Sequence, residues 1–132
     1  MTTPSKRVAV GRFDTVVLDC PDPYALAEFY AALLGQEIAD DGDASWQSLR
    51  GDGSGVCLAF QRATNYVAPH WPDGPPQQMH LDLTVDDFVL AHQRALALGA
   101  AALSPTSAPE PGKTGGFRVY ADPAGHPFCL CR

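Results

Sequence analysis

Two segments of the chain repeat one another, and that repeat limits the possible folds more than any other feature. Asp22-Pro-Tyr-Ala-Leu-Ala-Glu-Phe-Tyr-Ala-Ala-Leu-Leu-Gly35 and Asp86-Asp-Phe-Val-Leu-Ala-His-Gln-Arg-Ala-Leu-Ala-Leu-Gly99 align without a gap at an offset of 64 residues. Asp22/Asp86, Tyr24/Phe88, Leu26/Leu90, Ala27/Ala91, Ala31/Ala95, Leu34/Leu98 and Gly35/Gly99 correspond. Apolar residues at helical spacing predict helices over about 23–34 and 87–98, each with one buried stripe. An aspartate opens each as N-cap, Pro23 suits a first helical position, and a glycine closes each.

A strand precedes each helix. Phe13–Cys20 and Met79–Val85 alternate, with Val16, Leu18 and Cys20 on one face of the first and Leu81, Leu83 and Val85 on that of the second. Such apolar faces belong against the helix that follows. These faces align at an offset of 65, which places one extra residue before the cap of the first copy. Thr15, Val17 and Asp19 then share the opposite face of one strand, and His80, Asp82 and Thr84 that of the other.

Three further strands are predicted after each helix: Glu37–Ala39, Ser45–Arg50 and Val56–Gln61, then Ala101–Leu103, Gly116–Ala121 and His126–Cys131. Gly/Asp clusters at 40–43 and 51–55, and Asp122-Pro-Ala-Gly, supply the turns. The expected fold class is therefore α+β. Two βαβββ modules, about 12–62 and 78–131, form one domain across residues 1–132, with a proline-rich linker at 63–77. Neither module is large enough to be comfortable alone, so the two should pack together or pair with copies in another chain.

The charge balance narrows the partners. Nine Lys+Arg against fifteen Asp+Glu leave a net charge of −6, which repels a phosphate backbone and disfavours nucleic acid. No run reaches the roughly 18 apolar residues of a membrane span. Met1 to Arg7 are followed by no apolar run of signal-peptide type, so a cytoplasmic location is expected. In that reducing compartment Cys20, Cys57, Cys129 and Cys131 read as free thiols within apolar stretches. Gly112-Lys113-Thr114 is no P-loop, because Ser107 stands where its first glycine is required and a strand follows.

Alternation also selects candidate functional residues. His80 lies opposite an apolar stripe, with Asp82 two residues away on the same face to orient its ring or raise its pKa. It reads either as a hydrogen-bonded structural histidine or as a ligand contact. Phe117 and Val119 are expected to face the helices, which turns Arg118 and Tyr120 to the other side. Cys57, Gln61 and Cys129 join His80, Asp82, Arg118 and Tyr120 in one expected cavity. Trp46 and Trp71 wall that cavity or pack in a core or dimer interface. His70 and His126 read as structural or solvent-facing, and His92, matching Glu28, as exposed.

The duplicated unit resembles the vicinal oxygen chelate superfamily of glyoxalase I, bleomycin-resistance proteins and extradiol dioxygenases. The resemblance rests on Asp22…Phe29-Tyr30…Leu34-Gly35, Met79-His-Leu-Asp-Leu-Thr-Val-Asp-Asp87 and Asp122-Pro-Ala-Gly-His-Pro-Phe128. With His70-Trp-Pro and Gln77-Gln-Met-His80 the chain is most similar to a glyoxalase-like branch. The resemblance implies a curved, partly closed mixed sheet with helices on its convex side, a homodimer, and a pocket for a small organic molecule.

It also implies a divalent metal with one ligand from each of four strands. The matching positions are Thr15 or Val16, then Ala59 to Gln61, then His80, then Cys129. Only His80 matches well, so the expectation is ligand binding without the usual metal or other cofactor, as in drug-sequestering relatives. The alternative is a lyase, isomerase or dioxygenase using His80 as base, or an atypical site for a metal such as zinc at His80, Cys129 and Gln61. The net charge of −6 suits a basic ligand, whereas Arg118 in the cavity argues for an anionic one.

Overall fold

The elements follow the repeat: β1 (Thr15–Cys20), α1 (Pro23–Leu34), β2 (Trp46–Ser48), β3 (Cys57–Arg62), β4 (Leu81–Thr84), α2 (Phe88–Leu98), β5 (Ala101–Ser104), β6 (Phe117–Ala121) and β7 (Pro127–Cys131). The computed structural model describes residues 7–9, 12–74, 76, 79–113 and 115–132. Gln77 and Gln78 of the Gln77–His80 motif, and Thr114, lie outside the described residues.

The strands form two mixed sheets, ordered β1-β3-β2 and β4-β7-β6-β5, and neither closes on itself. Their topologies match: β1/β3 and β4/β7 are parallel, while β2/β3, β6/β7 and β5/β6 are antiparallel. The strand expected at Glu37–Ala39 is reduced to one bridge, Ile38 to Leu49, held by Ala39 N–H to the Ser48 carbonyl and Arg50 N–H to the Glu37 carbonyl (both 2.8 Å). Its extension is cut off by the Asp40–Asp43 turn, where Asp43 Oδ1 accepts from Ser45 N (2.8 Å) and Trp46 N (3.1 Å).

The helix caps correct the alignment. Asp22 Oδ1 accepts from Ala25 N, but at the second helix the cap is Asp87, whose Oδ1 accepts from Val89 N and Leu90 N. The caps, like the strands, are therefore offset by 65. The extra residue of the first copy lies in its helix, which has 12 residues against 11. Both helices end alike: Gly35 and Gly99 have positive φ, and Gln36 N and Ala100 N reach back to the carbonyls of Ala31 and Ala95.

This one-residue shift explains why His92 is buried rather than exposed. At an offset of 65 it corresponds to Ala27, which is fully buried, and not to Glu28. It lies on the stripe of Phe88 and Ala95, where its Nδ1 meets Tyr120 Oη at 2.7 Å.

One aromatic cluster joins the halves. Tyr30 of α1 stacks on Phe60 of β3 with ring centroids 5.6 Å apart, and Phe29 and Tyr30 both meet Phe128 of β7 edge-on. Phe128 in turn stacks on Tyr120 of β6 at 5.7 Å. Phe60, Tyr120 and Phe128 are completely buried. The two sheets thus share a core, which neither module could assemble by itself.

Directly paired residues share a sheet face. On the helix side lie Leu18 with Phe60, and Leu81 with Phe128 and Tyr120. On the other side lie Asp19 with Gln61 and Trp46, and Asp82 with Cys129 and Val119. Tyr120 therefore points into the core, and Arg118 shares that side, contrary to the expectation from alternation. Val119 must face the same way as its partner Cys129, and Tyr120 the same way as buried Phe128. The Tyr120 hydroxyl tolerates burial because His92 and Arg118 Nε (3.3 Å) pair with it. The Arg118 guanidinium reaches the carbonyls of Pro105 and Ser107.

Candidate functional site

Two neighbouring cavities share His80: one lies on the face of the second sheet turned away from the helices, the other between the edges of the two sheets, where Tyr30 of α1 also reaches it. The extended backbone at His80–Asp82 puts both side chains on one side, with His80 Nε2 3.2 Å from Asp82 Oδ1. The parallel register of β4 on β7 sets Asp82 opposite Cys129. Donor atoms of His80, Asp82 and Cys129 all lie within 4.8 Å of one another. Around them Trp71, Phe117, Val119, Pro127 and Cys131 wall a cavity of about 440 Å³. Burial, then the charge and hydrogen bond of Asp82, push the Cys129 thiol up to about 11, so without a cation it is neutral.

The second cavity, about 460 Å³, lies between the unpaired edges of β1 and β4. Val17, Val67, Pro69 and Met79 give it apolar walls, and Asp19, Gln61 and His80 place polar groups on it.

A buried network fixes the wall formed by His126. Asp122 Oδ2 accepts from Tyr30 Oη and from His126 Nδ1, both at 2.7 Å. Asp122 Oδ1 accepts from Ala124 N (2.9 Å) and His126 N (3.0 Å). The other ring nitrogen, Nε2, lies 2.7 Å from the Asp19 carbonyl and ties the turn before β7 to β1. Tyr66 Oη sits 3.2 Å from that nitrogen and donates to the Ala124 carbonyl; burial, then the charge of Asp122, push its hydroxyl up to about 12.

With acceptors at both nitrogens, His126 is best satisfied when both are protonated. Burial opposes the charged ring, but Asp122 and the Asp19 carbonyl outweigh it and raise its pKa above the ordinary 6.5. The stabilisation is therefore complete below pH 6.5 and is lost as pH rises through the raised folded value. His92 acts oppositely, since burial and then Arg118 lower its pKa. The comparison that isolates His126 is wild type against His126→Gln, unfolded in urea between about pH 5.5 and 8.5. The stability difference should be largest at the acid end and shrink towards the alkaline end. A difference constant with pH counts against a charged ring.

Of the residues singled out from sequence, His80, Asp82 and Cys129 meet in one cavity, and Gln61 meets His80 in the other. Cys57 and Trp46 share the Gln61 face of the first sheet but line neither cavity; the Cys57 thiol lies 3.9 Å from the Arg50 carbonyl. Arg118 and Tyr120 are turned to the helix side. Asp19, Tyr66 and His126 were missed as cavity residues. For His126 a signal existed in Asp122-Pro-Ala-Gly-His126, a turn that brings residues four apart together.

The four-strand metal set of the superfamily does not fit these residues. Val16 shares the helix-side face with Leu58, Thr15 lines neither cavity, and Ala59 and Phe60 are fully buried without a donor side chain. Gln61 lines the cavity between the sheet edges, which Cys129 does not reach, so the set His80, Cys129 and Gln61 is divided between two cavities.

A family model described as a glyoxalase-like domain matches residues 15–131. Among curated proteins, none matches. A glyoxalase/bleomycin resistance protein/dioxygenase family enzyme from Burkholderia phytofirmans PsJN is similar at TM-score 0.65 and 17% identity, over 89% of this chain and 94% of that one. A glyoxalase-related enzyme from Fulvimarina pelagi gives 0.64 and 23%, over 92% and 88%. TnmS3, an antibiotic binding protein from Streptomyces sp. CB03234, gives 0.61 and 20%, over 95% and 98%. At such identities the likeness is one of fold.

Proposed function

Since this chain belongs to the glyoxalase-like domain family of the vicinal oxygen chelate superfamily, we propose that it binds a small organic molecule in the cavity between β1 and β4. The observation that carries this reading is the cavity itself. Its volume suits a metabolite or drug-sized ligand, its walls are mostly apolar, and few polar groups converge on it. The antibiotic-binding neighbour of similar fold supports the same reading.

Arg118 no longer argues for an anionic ligand, because it faces the helices. Asp19, Gln61 and His80, with a net charge of −6, favour a neutral or cationic one. The ligand is held without the four-strand metal centre, because Gln61 and Cys129 lie in different cavities and neither Thr15 nor Val16 brings a donor side chain to them. Two copies pair to cover the open sheet edges; sedimentation at micromolar concentration should show a dimer, and a 14.1 kDa species throughout would remove that part of the reading.

Val17, exposed on β1 and lining the cavity, is the position at which to block it. Nile red, a neutral polycyclic dye, should bind the wild-type chain saturably. Val17→Trp should weaken that binding at least about tenfold while the melting temperature stays near the wild-type value. Equal dye affinity in a folded Val17→Trp protein would remove the reading.

An enzymatic reading gains from one observation: His80, backed by Asp82, lines both cavities as a general base would. It predicts that His80→Ala abolishes turnover of a bound molecule while leaving its affinity nearly intact.

A further inference from the structure

The second half-sheet brings together an imidazole, a carboxylate and a thiol with no help from the first. His80 immediately precedes β4, Asp82 lies on it, and Cys129 comes from β7, beside it in the same sheet. Their donor atoms lie within 4.8 Å of one another, and His80 Nε2 and Asp82 Oδ1 are already 3.2 Å apart. Tetrahedral zinc with bonds of about 2.0–2.3 Å requires its donors to be roughly 3.3–3.6 Å apart. The set therefore needs to contract by little more than about 1 Å, which rotation of the two exposed side chains, His80 and Asp82, can supply. Cys129 is buried in the middle of the sheet order, so the sulfur is a fixed anchor.

We propose that His80, Asp82 and Cys129 form a three-ligand site for a soft divalent cation, zinc by its donor chemistry, with a fourth position open to the cavity walled by Trp71, Phe117 and Val119. Mixed nitrogen, sulfur and oxygen donors suit zinc, whereas magnesium and calcium take oxygen. Three protein ligands with one open position is the arrangement of zinc sites that bind or activate a further molecule. The site differs from the four-strand centre of the superfamily: its three ligands all come from one half-sheet, with Asp82 in place of any donor from the first. On binding, the Cys129 thiol loses its proton to solvent and the thiolate bonds the metal. The site shares His80 with the proposed small-molecule cavity but does not rest on that reading, since the cation is read with no organic ligand present.

The test is a titration of Co²⁺ into the full chain, reduced and stripped of metal with a chelator. One equivalent should produce a thiolate-to-cobalt charge-transfer band and the intense visible bands of tetrahedral cobalt, and Zn²⁺ should bleach both. Cys129→Ser should abolish the charge-transfer band. His80→Ala and Asp82→Asn should each weaken binding at least about tenfold, and Cys57→Ser should change nothing. Absence of the band in the wild-type chain overturns the proposal. So does a band that survives Cys129→Ser, because the thiolate then lies elsewhere. Should Cys129→Ser fail to fold by circular dichroism, the exposed-site variant His80→Ala decides, and unchanged affinity in it overturns the proposal.

Discussion

Asp122→Ala is expected to cost about 3–5 kcal/mol of unfolding free energy, a large share of the roughly 5–15 kcal/mol that holds a domain of this size together. Asp122 is 4% exposed, and its two oxygens accept from the Tyr30 hydroxyl, the His126 ring and two backbone N–H groups of the turn before β7. Removing the carboxylate takes the acceptor from all four donors and leaves the imidazolium without its counter-charge.

Graded variants separate these contributions. Tyr30→Phe removes one donor and leaves the His126 pair intact, so it should cost only about 1–2 kcal/mol. Asp122→Asn keeps the shape and one acceptor, and should fall between the two. Urea unfolding at pH 6 measures all three. A loss under about 1 kcal/mol for Asp122→Ala would mean that the network is ornamental. The effect should extend to binding, because His126 also holds the Asp19 carbonyl, and Asp19 lies on the proposed ligand cavity.

Phe128→Ala should be comparably severe, at about 3–5 kcal/mol. The ring is completely buried, stacked on Tyr120 and met edge-on by Phe29 and Tyr30. It is the point at which the second sheet touches the helix that covers the first. Truncation removes the ring's transfer free energy and leaves a cavity bounded by rigid aromatic neighbours that cannot collapse into it. Phe128→Leu refills most of the space and should cost much less. Since the two halves share this contact, the unfolding of Phe128→Ala measured by fluorescence and by circular dichroism also reports their coupling. Coincident transitions at lower denaturant fit a shared core. A wild-type stability, or two separate wild-type transitions, would contradict it.

The repeat made much of this architecture legible in the residues. Helix stripes and strand alternation located both helices and every observed strand, because each is a local pattern with its own period, and they overshot only at Glu37–Ala39, which is a single bridge. Alternation also placed His80 and Asp82 on one face, since residues two apart in extended backbone must share it. It misread β6. Phe117, Arg118, Val119 and Tyr120 carry large apolar groups on both faces, so a period of two marks the faces without saying which is inward. The choice was made by pairing with β7, where Val119 follows Cys129 and Tyr120 follows Phe128.

His92 is the same lesson in a helix: a single residue of offset separates an exposed position from a buried one. The meeting of Asp82 with Cys129, and of Gln61 with His80 in a different cavity, joins residues more than forty and nearly twenty positions apart respectively. The repeat, the glycines that close both helices and the periodicities were determined by the sequence alone, because neighbouring residues settle them within a turn or a strand, whereas the choice of Asp87 over Asp86 as second cap was not. The inward face of β6, the burial of His92 and the division of polar residues between two cavities were decided only by the tertiary structure. There the filling of a common core and the satisfaction of its buried polar groups select among faces that local pattern leaves equivalent.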